Sequence, residues 1–157
     1  MQKIIPFLWF DGKAEEAANF YTAIFNDARI TDVMRSGDGG PGAKGSILSA
    51  TFELAGQKFI ALNGGPMFQF TPAISFFVYC ETQAEVDDFW VKLSEGGQIR
   101  QCGWLTDKFG VTWQIVPIVL MQMLRDEDAV KSNRVMAAMM KMIKLDIALL
   151  TQAYEGG

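Results

Sequence analysis

The chain has 157 residues, half of them apolar and 20% charged, with 14 basic against 18 acidic side chains and a formal net charge of −4. This is the composition of one globular domain or two small fused modules, and it excludes an electrostatic nucleic-acid binder, which needs a basic face. Two cysteines, Cys80 and Cys102, exclude a disulfide scaffold. No apolar run nears the ~20 residues of a membrane helix, and the start, broken by Pro6 and Asp11, reads as neither signal peptide nor span. The chain is expected to be cytoplasmic, with free thiols and no membrane partner.

In chain order, residues 3–10 read as a buried strand and 13–25 as a helix, with Ala14, Ala17, Ala18, Tyr21, Ile24 and Phe25 at spacings of three and four. Asp11 or Gly12 is expected at the helix start. Residues 29–35 follow as a strand, and 36–45, with five glycines in ten residues, as a loop. Ile47–Leu54 and Lys58–Leu62 form a hairpin about Gly56-Gln57, closed off by Asn63-Gly64-Gly65-Pro66. Then come a strand over 73–80, and a helix over 82–95 opened by a Thr82/Glu85 capping box and ended at Gly96-Gly97. A strand over 98–105, a turn at Asp107-Lys108-Phe109-Gly110 and a strand over 111–116 complete the set. Beyond Pro117, glycine and aromatics almost vanish, and six of the nine methionines fall between Met121 and Met142. Met136, Met139, Met140, Ile143, Ile147, Leu150 and Tyr154 mark a helical stripe, and Asp146 is placed to cap a last helix, so the tail is expected to hold two helices.

The first half is echoed by the second. At an offset of 69 positions Phe7 falls on Phe76, Glu16 on Glu85, Phe20 on Phe89 and Tyr21 on Trp90, without a gap. Each copy is an apolar run leading into a helix that carries an aromatic pair. Two copies of one supersecondary unit imply two packed modules.

The absence of histidine removes nucleophile systems that depend on a histidine base, and the commonest zinc ligand. The glycine-rich loop has neither the Gly-Lys-Ser/Thr of a P-loop nor the strand–glycine–helix order of a dinucleotide site, so it reads as a hairpin loop. Trp9, Trp104 and Trp113 on predicted strands are candidate pocket walls, as is Phe77, with a packed core as the competing reading. Gln114 interrupts an apolar strand, and a polar side chain there faces either water or a partner. Ser75 and Asn63 raise the same question, Asn63 beside glycines also suiting a turn. Cys102 is a candidate thiol with Arg100 as its nearby charge; Cys80 reads as structural. The methionine stripe reads as core or dimer interface rather than a metal box.

The ordered set of Pro6-Phe7-Leu8-Trp9-Phe10-Asp11, Leu62-Asn63-Gly64-Gly65-Pro66, Ala73-Ile74-Ser75-Phe76, Gln101-Cys102-Gly103-Trp104 and Asp107 through Pro117, with Arg134-Val135-Met136 through Lys144-Leu145-Asp146-Ile147, resembles the PhnB-like branch of the vicinal oxygen chelate superfamily, often labelled demethylubiquinone methyltransferase-like. The resemblance implies an α+β fold of two βαβββ modules, about 1–66 and 72–117, whose sheets curve into an open cup, with a helical extension over 118–157, and usually a homodimer. In metal-using members the ligands come from the first and last strands of each module. Here those positions offer Pro6, Leu8, Ala73, Ser75, Asn63 and Gln114, and Met67 where relatives can carry a histidine. No metal and no cofactor are therefore expected. The expected function is binding of a small, mostly apolar or aromatic molecule by Trp9, Phe77, Trp104 and Trp113, oriented by Asn63, Ser75 and Gln114, with Cys102 beside them. The alternative is a superfamily enzyme: a lyase, isomerase, dioxygenase-like catalyst or the methyltransferase of the branch label.

Overall fold

The computed structural model describes residues 2–156, which divide into two compact units between Phe70 and Thr71. The first unit runs β1 (Phe7–Phe10), α1 (Ala14–Ile24), β2 (Ala28–Arg35), β3 (Ile47–Leu54) and β4 (Gln57–Asn63). Its sheet has the order β1-β4-β3-β2, with β1 parallel to β4 and the other pairs antiparallel. Alternation buries Ala50, Phe52 and Leu54 of β3 and Phe59 and Ala61 of β4. Against them lies the α1 face of Ala14, Ala17, Ala18, Tyr21 and Ile24. Small alanines let the helix approach the sheet, and Tyr21, Phe52 and Phe59 form a stacked column with centroid separations of 5.9 and 5.3 Å. Full burial of each such ring stabilises the fold by about 1.5–3 kcal/mol.

Three local expectations for this unit are corrected. The first strand is shorter than residues 3–10, because Pro6 has no N–H to give and enters the pairing only as an acceptor, from Ile60 N–H at 3.0 Å. The hairpin turns at Ala55-Gly56, both with positive φ (49° and 84°), the two-residue geometry that matches strand twist. Neither Asp11 nor Gly12 caps α1: Lys13 stands at the N-cap without a side-chain bond, and the Ala14 N–H is satisfied by Asn63.

The second unit repeats the plan: β5 (Ser75–Cys80), α2 (Gln83–Ser94), β6 (Gln98–Ile99), β7 (Trp104–Thr106) and β8 (Thr112–Pro117), in the order β5-β8-β7-β6 with β5 parallel to β8. The offset of 69 maps β1 into β5 and the start of α1 onto the start of α2, so the repeat seen in sequence is a repeat of structure. Thr82 Oγ1 accepts the Glu85 N–H at 3.2 Å, as the capping box predicts, while the Glu85 carboxylate reaches back to the Glu81 N–H at 3.4 Å. Val86, Trp90 and Leu93 of α2 are buried, as are Leu105, Trp113 and Ile115 on the strands beneath.

The expected strand over 98–105 is in fact two. Residues 100–103 form a turn in which Cys102 (φ 59°) and Gly103 (φ 82°) are left-handed. Their N–H groups leave the sheet and donate to the carbonyls of Met142 and Ile143 at 2.8 and 2.7 Å. A strand cannot continue through two left-handed residues.

The extension contains three helices rather than two: α3 (Ile118–Leu124), α4 (Ala129–Met139) and α5 (Ile147–Glu155). Asp128 and Asp146 cap the latter two, Asp146 accepting from Leu149 N–H at 3.1 Å as expected. The stripe is therefore broken between Met140 and Asp146. Leu150 is buried, whereas Met136, Met140 and Ile143 are exposed. The helices close a small core of Leu120, Met123, Val135, Leu145 and Leu150 onto Val116 of β8. Gln83 fastens them to α2: its Oε1 accepts the Ile147 N–H at 2.7 Å, and its Nε2 donates to Leu145 O at 3.1 Å.

Candidate functional site

The register of the second sheet assigns every side chain to a face. Ser75 pairs with Thr112 and Phe77 with Gln114 across β5–β8; Trp104 pairs with Gln114 and Thr106 with Thr112 across β7–β8; Gln98 pairs with Thr106 across β6–β7. Directly paired residues share a face. Gln98, Thr106, Thr112 and Ser75 thus form one row, and Arg100, Trp104, Gln114 and Phe77 the next, since the Arg100 N–H continues the ladder by donating to Trp104 O at 2.9 Å. The alternate residues Phe76, Cys80, Leu105, Trp113 and Ile115 lie on the face that carries α2.

Of the eight residues singled out in the sequence, four meet on the open face: Ser75, Phe77, Trp104 and Gln114. Gln114 Nε2 donates to Ser75 Oγ at 2.9 Å, which leaves the Gln114 carbonyl and the Ser75 hydroxyl hydrogen for other partners. Phe77 is 39% exposed and packs at 4.9 Å against Tyr79, which is 53% exposed. Trp104 is half-buried, and among the described residues its indole N–H has no protein acceptor. A partly sheltered aromatic face with one polar pair and one free indole donor can hold an apolar ring and orient it.

Trp113 lies on the opposite face. It is 2% exposed, stands 5.3 Å from the Phe76 ring and donates its indole N–H to Asp107 Oδ2 at 2.9 Å. Asp107, itself buried, takes the Phe109 and Val111 N–H groups on Oδ1 at 2.8 and 3.0 Å. This cluster holds the 107–110 turn in shape.

Two further residues belong to the first unit. Trp9 donates its indole N–H to Gly65 O at 2.8 Å and meets Phe68 edge-on at 4.9 Å. Gly64 lies flat on its ring: a Cβ there would stand 2.4 Å from Trp9 Cε2. The Asn-Gly-Gly-Pro segment is thus a clamp over Trp9. Asn63 is held at both amide atoms, Oδ1 accepting from Ala14 N–H at 2.8 Å and Nδ2 donating to Ile47 O at 3.0 Å. It joins the end of β4 to the start of α1 and to β3.

Cys102 is half-buried, with Sγ 3.9 Å from Met140 Sδ. Cys80 is buried; burial, and secondarily the Glu85 charge, push its thiol up to about 12. It remains a neutral thiol at physiological pH.

The side chains at the chelating positions that the resemblance implies are a weak donor set for a divalent metal. At the chelating positions only Ser75 and Gln114 share the open face, they are neutral, and they bond each other. Asn63 is held in place by the backbone through both amide atoms, and Leu8 is buried. Among the described residues no three His, Cys, Asp or Glu are grouped to hold an ion. One or two neutral oxygens do not replace the hydration shell of a hard cation.

Sequence reasoning missed Arg100 and Tyr79 on this face. Arg100 was invisible there because residues 98–105 read as one strand, whereas the turn folds Arg100 back beside Trp104. Tyr79 could have been found from its alternation with Ser75 and Phe77.

Comparison with known proteins places these observations. The family model described as 3-demethylubiquinone-9 3-methyltransferase matches residues 2–116. A PhnB protein of Bacillus cereus, named for 3-demethylubiquinone-9 3-methyltransferase, is 43% identical over 74% of this chain and 99% of its own, with a TM-score of 0.68. A protein of Pseudomonas aeruginosa, 23% identical, covers 74% of this chain and 98% of its own at a TM-score of 0.63. The Listeria monocytogenes fosfomycin resistance protein FosX, as a mutant complexed with Mn(II) and 1S,2S-dihydroxypropylphosphonic acid, is 14% identical over 78% of this chain and 99% of its own, with a TM-score of 0.56. The last two likenesses show the fold alone. A search of curated proteins gave no match.

Proposed function

From a chain that belongs to the 3-demethylubiquinone-9 3-methyltransferase family, the PhnB-like branch of the vicinal oxygen chelate superfamily, we propose a protein that binds a small, mostly apolar or aromatic molecule without a metal, with the open face of the β5-β8-β7-β6 sheet as a wall of its aromatic cup. The observation that carries this reading is the arrangement of Phe77, Gln114 and Trp104 in one row, with the Gln114–Ser75 bond beside it. Phe77 and Trp104 supply stacking area. The Gln114 carbonyl, the Ser75 hydroxyl and the Trp104 indole N–H supply one acceptor and two donors for a polar substituent.

Naphthamide, a neutral bicyclic aromatic amide, is the test probe, followed by quenching of tryptophan fluorescence. Gln114→Ala and Trp104→Ala should each weaken binding about fivefold or more, the scale of one neutral hydrogen bond or one stacked ring, with thermal stability retained. Unchanged affinity in both variants overturns the assignment. Elemental analysis of the purified protein is expected to find no stoichiometric divalent metal, and one equivalent per chain would overturn the metal-free reading.

The enzyme reading has less support. The methyl transfer in the family's description meets neither a doubly wound parallel sheet nor a glycine-rich strand-to-helix turn in this chain: both sheets are mixed, and β1 joins α1 through Asp11-Gly12-Lys13. No described helix is long and apolar enough to cross a membrane. A cytoplasmic homodimer is proposed, on the family's habit and the exposed Met136, Met140 and Ile143; sedimentation at micromolar concentration should give twice the 17.4 kDa chain mass, and a monomer would refute it.

A further inference from the structure

The open face of the second sheet carries one cation, and its environment sets the chemistry of the ligand further than the aromatic wall does. Arg100 is half-buried at the end of β6, in the row of Trp104, Gln114 and Phe77. Its Nε donates to Thr106 Oγ1 at 2.7 Å, and Thr106 Oγ1 lies 3.5 Å from Thr112 Oγ1. One edge of the guanidinium is thereby anchored to the sheet. Among the described residues no acid pairs with Arg100, and neither Nη has a protein acceptor.

Such an arginine is unusual on two counts. The chain is acidic overall, with 18 Asp and Glu against 14 Lys and Arg, so carboxylates were plentiful as partners. A long side chain held by its Nε against a strand has also given up rotamer freedom, which costs free energy that no ion pair returns. What remains is a planar fork of Nη donors, pre-set in direction and matched to two oxygens of one anionic group.

We infer that the ligand of this face is an amphipathic anion: an aromatic or apolar body bearing a carboxylate, phosphate or phosphonate that Arg100 receives. The inference rests on the binding reading above and adds the charge of the molecule. The Nε–Thr106 bond carries the guanidinium from the β6 edge inward over β7, the strand that also bears Trp104. The anionic group therefore sits beside Trp104 rather than at the sheet edge, the ring lies across Trp104, and a second polar substituent is directed toward Gln114 and Ser75 on the neighbouring strands.

The experiment compares naphthoate with neutral naphthamide, which share shape and differ in charge, by tryptophan quenching at pH 7 and low salt. The wild-type protein should bind naphthoate at least tenfold more tightly, the scale of a charge-assisted bidentate pair. Arg100→Gln should abolish that preference, weakening naphthoate far more than naphthamide, while Arg100→Lys should keep part of it. Added salt should weaken naphthoate alone. Equal affinities of the wild-type protein for the two probes, or an equal loss of both in Arg100→Gln, overturn the anion assignment and leave the aromatic wall standing. Failure of both probes to bind the wild-type protein overturns the wall itself, and this inference with it.

Discussion

Trp113 and Gln114 are neighbours in sequence, yet the fold gives them opposite work, and a double-mutant cycle on the Trp113 side tests that division. Asp107→Asn keeps the shape of the side chain but puts an amide where a carboxylate stood. Oδ1 receives two backbone N–H groups at 2.8 and 3.0 Å, and Oδ2 receives the Trp113 indole N–H at 2.9 Å. Either orientation of the new amide sets an N–H against an N–H. A hydrogen bond to a charged acceptor contributes about 1.5–3 kcal/mol, and a buried donor left unmatched costs about 1–3 kcal/mol. With Asp107 and Trp113 both 2% exposed, water cannot make good the loss. The expected destabilisation is about 3–5 kcal/mol. Trp113→Phe removes the donor and some volume, for about 2–3 kcal/mol. In the double variant the amide no longer opposes an indole N–H, so the loss should fall short of the sum by about 1–2 kcal/mol. Urea unfolding followed by circular dichroism at pH 7 measures all four corners. Naphthamide affinity, measured on the folded fraction, should be unchanged throughout. Additivity within about 0.5 kcal/mol, or lost binding with stability intact, would refute the placement of Trp113 in the core.

Gly64→Ala should destabilise the first unit by about 2 kcal/mol or more, within the range for overpacking, because the added Cβ would stand 2.4 Å from the Trp9 ring and would break the Trp9–Gly65 bond; an unchanged unfolding midpoint would refute the clamp. With a neutral disulfide reagent at pH 8, the native chain should react at Cys102 and at Cys80 only after denaturation, since Cys80 is buried with its thiol raised from 9.0 to about 12; two equal fast phases would refute it. The same shift fixes a pH trend. Between about 9 and 12 the unfolded chain releases the Cys80 proton and the folded chain keeps it, so stability is unaffected below pH 9 and falls as pH rises through that window; Cys80→Ala should flatten the alkaline limb. Gln83→Ala should raise amide exchange at Ile147 and along α5, because Gln83 holds that helix's first N–H at 2.7 Å; unaltered protection would show that the hydrophobic core alone docks the tail.

Much of the architecture was legible in the sequence, because spacing is local. The alanine and aromatic positions of α1 follow a helical period, the Thr82/Glu85 box marks the start of α2, Asp146 marks α5, and the 69-residue offset announces two like modules. Each of these signals needs only residues a few positions apart, or a comparison of the chain with itself.

The site was legible as a set of residue types and not as an arrangement. Ser75, Phe77, Trp104 and Gln114 were sought together as strand residues and share one face, but strand alternation has period two, and a single position decides the face. The face of Trp113 depends on the register of β8 with β5 and β7, which no local spacing contains. The cap of α1 comes from Asn63, 49 positions away, where sequence offered Asp11 or Gly12. The turn at Arg100–Gly103 exists because Met142 and Ile143 offer carbonyls to two left-handed residues, and it alone sets Arg100 beside Trp104. Sequence by itself therefore determined the repeated modules, their two helices α1 and α2, and the missing histidines; tertiary structure decided how the extension divides into three helices and which side chains share a surface, because hydrogen-bond partners remote in the chain fix the register and bend the backbone.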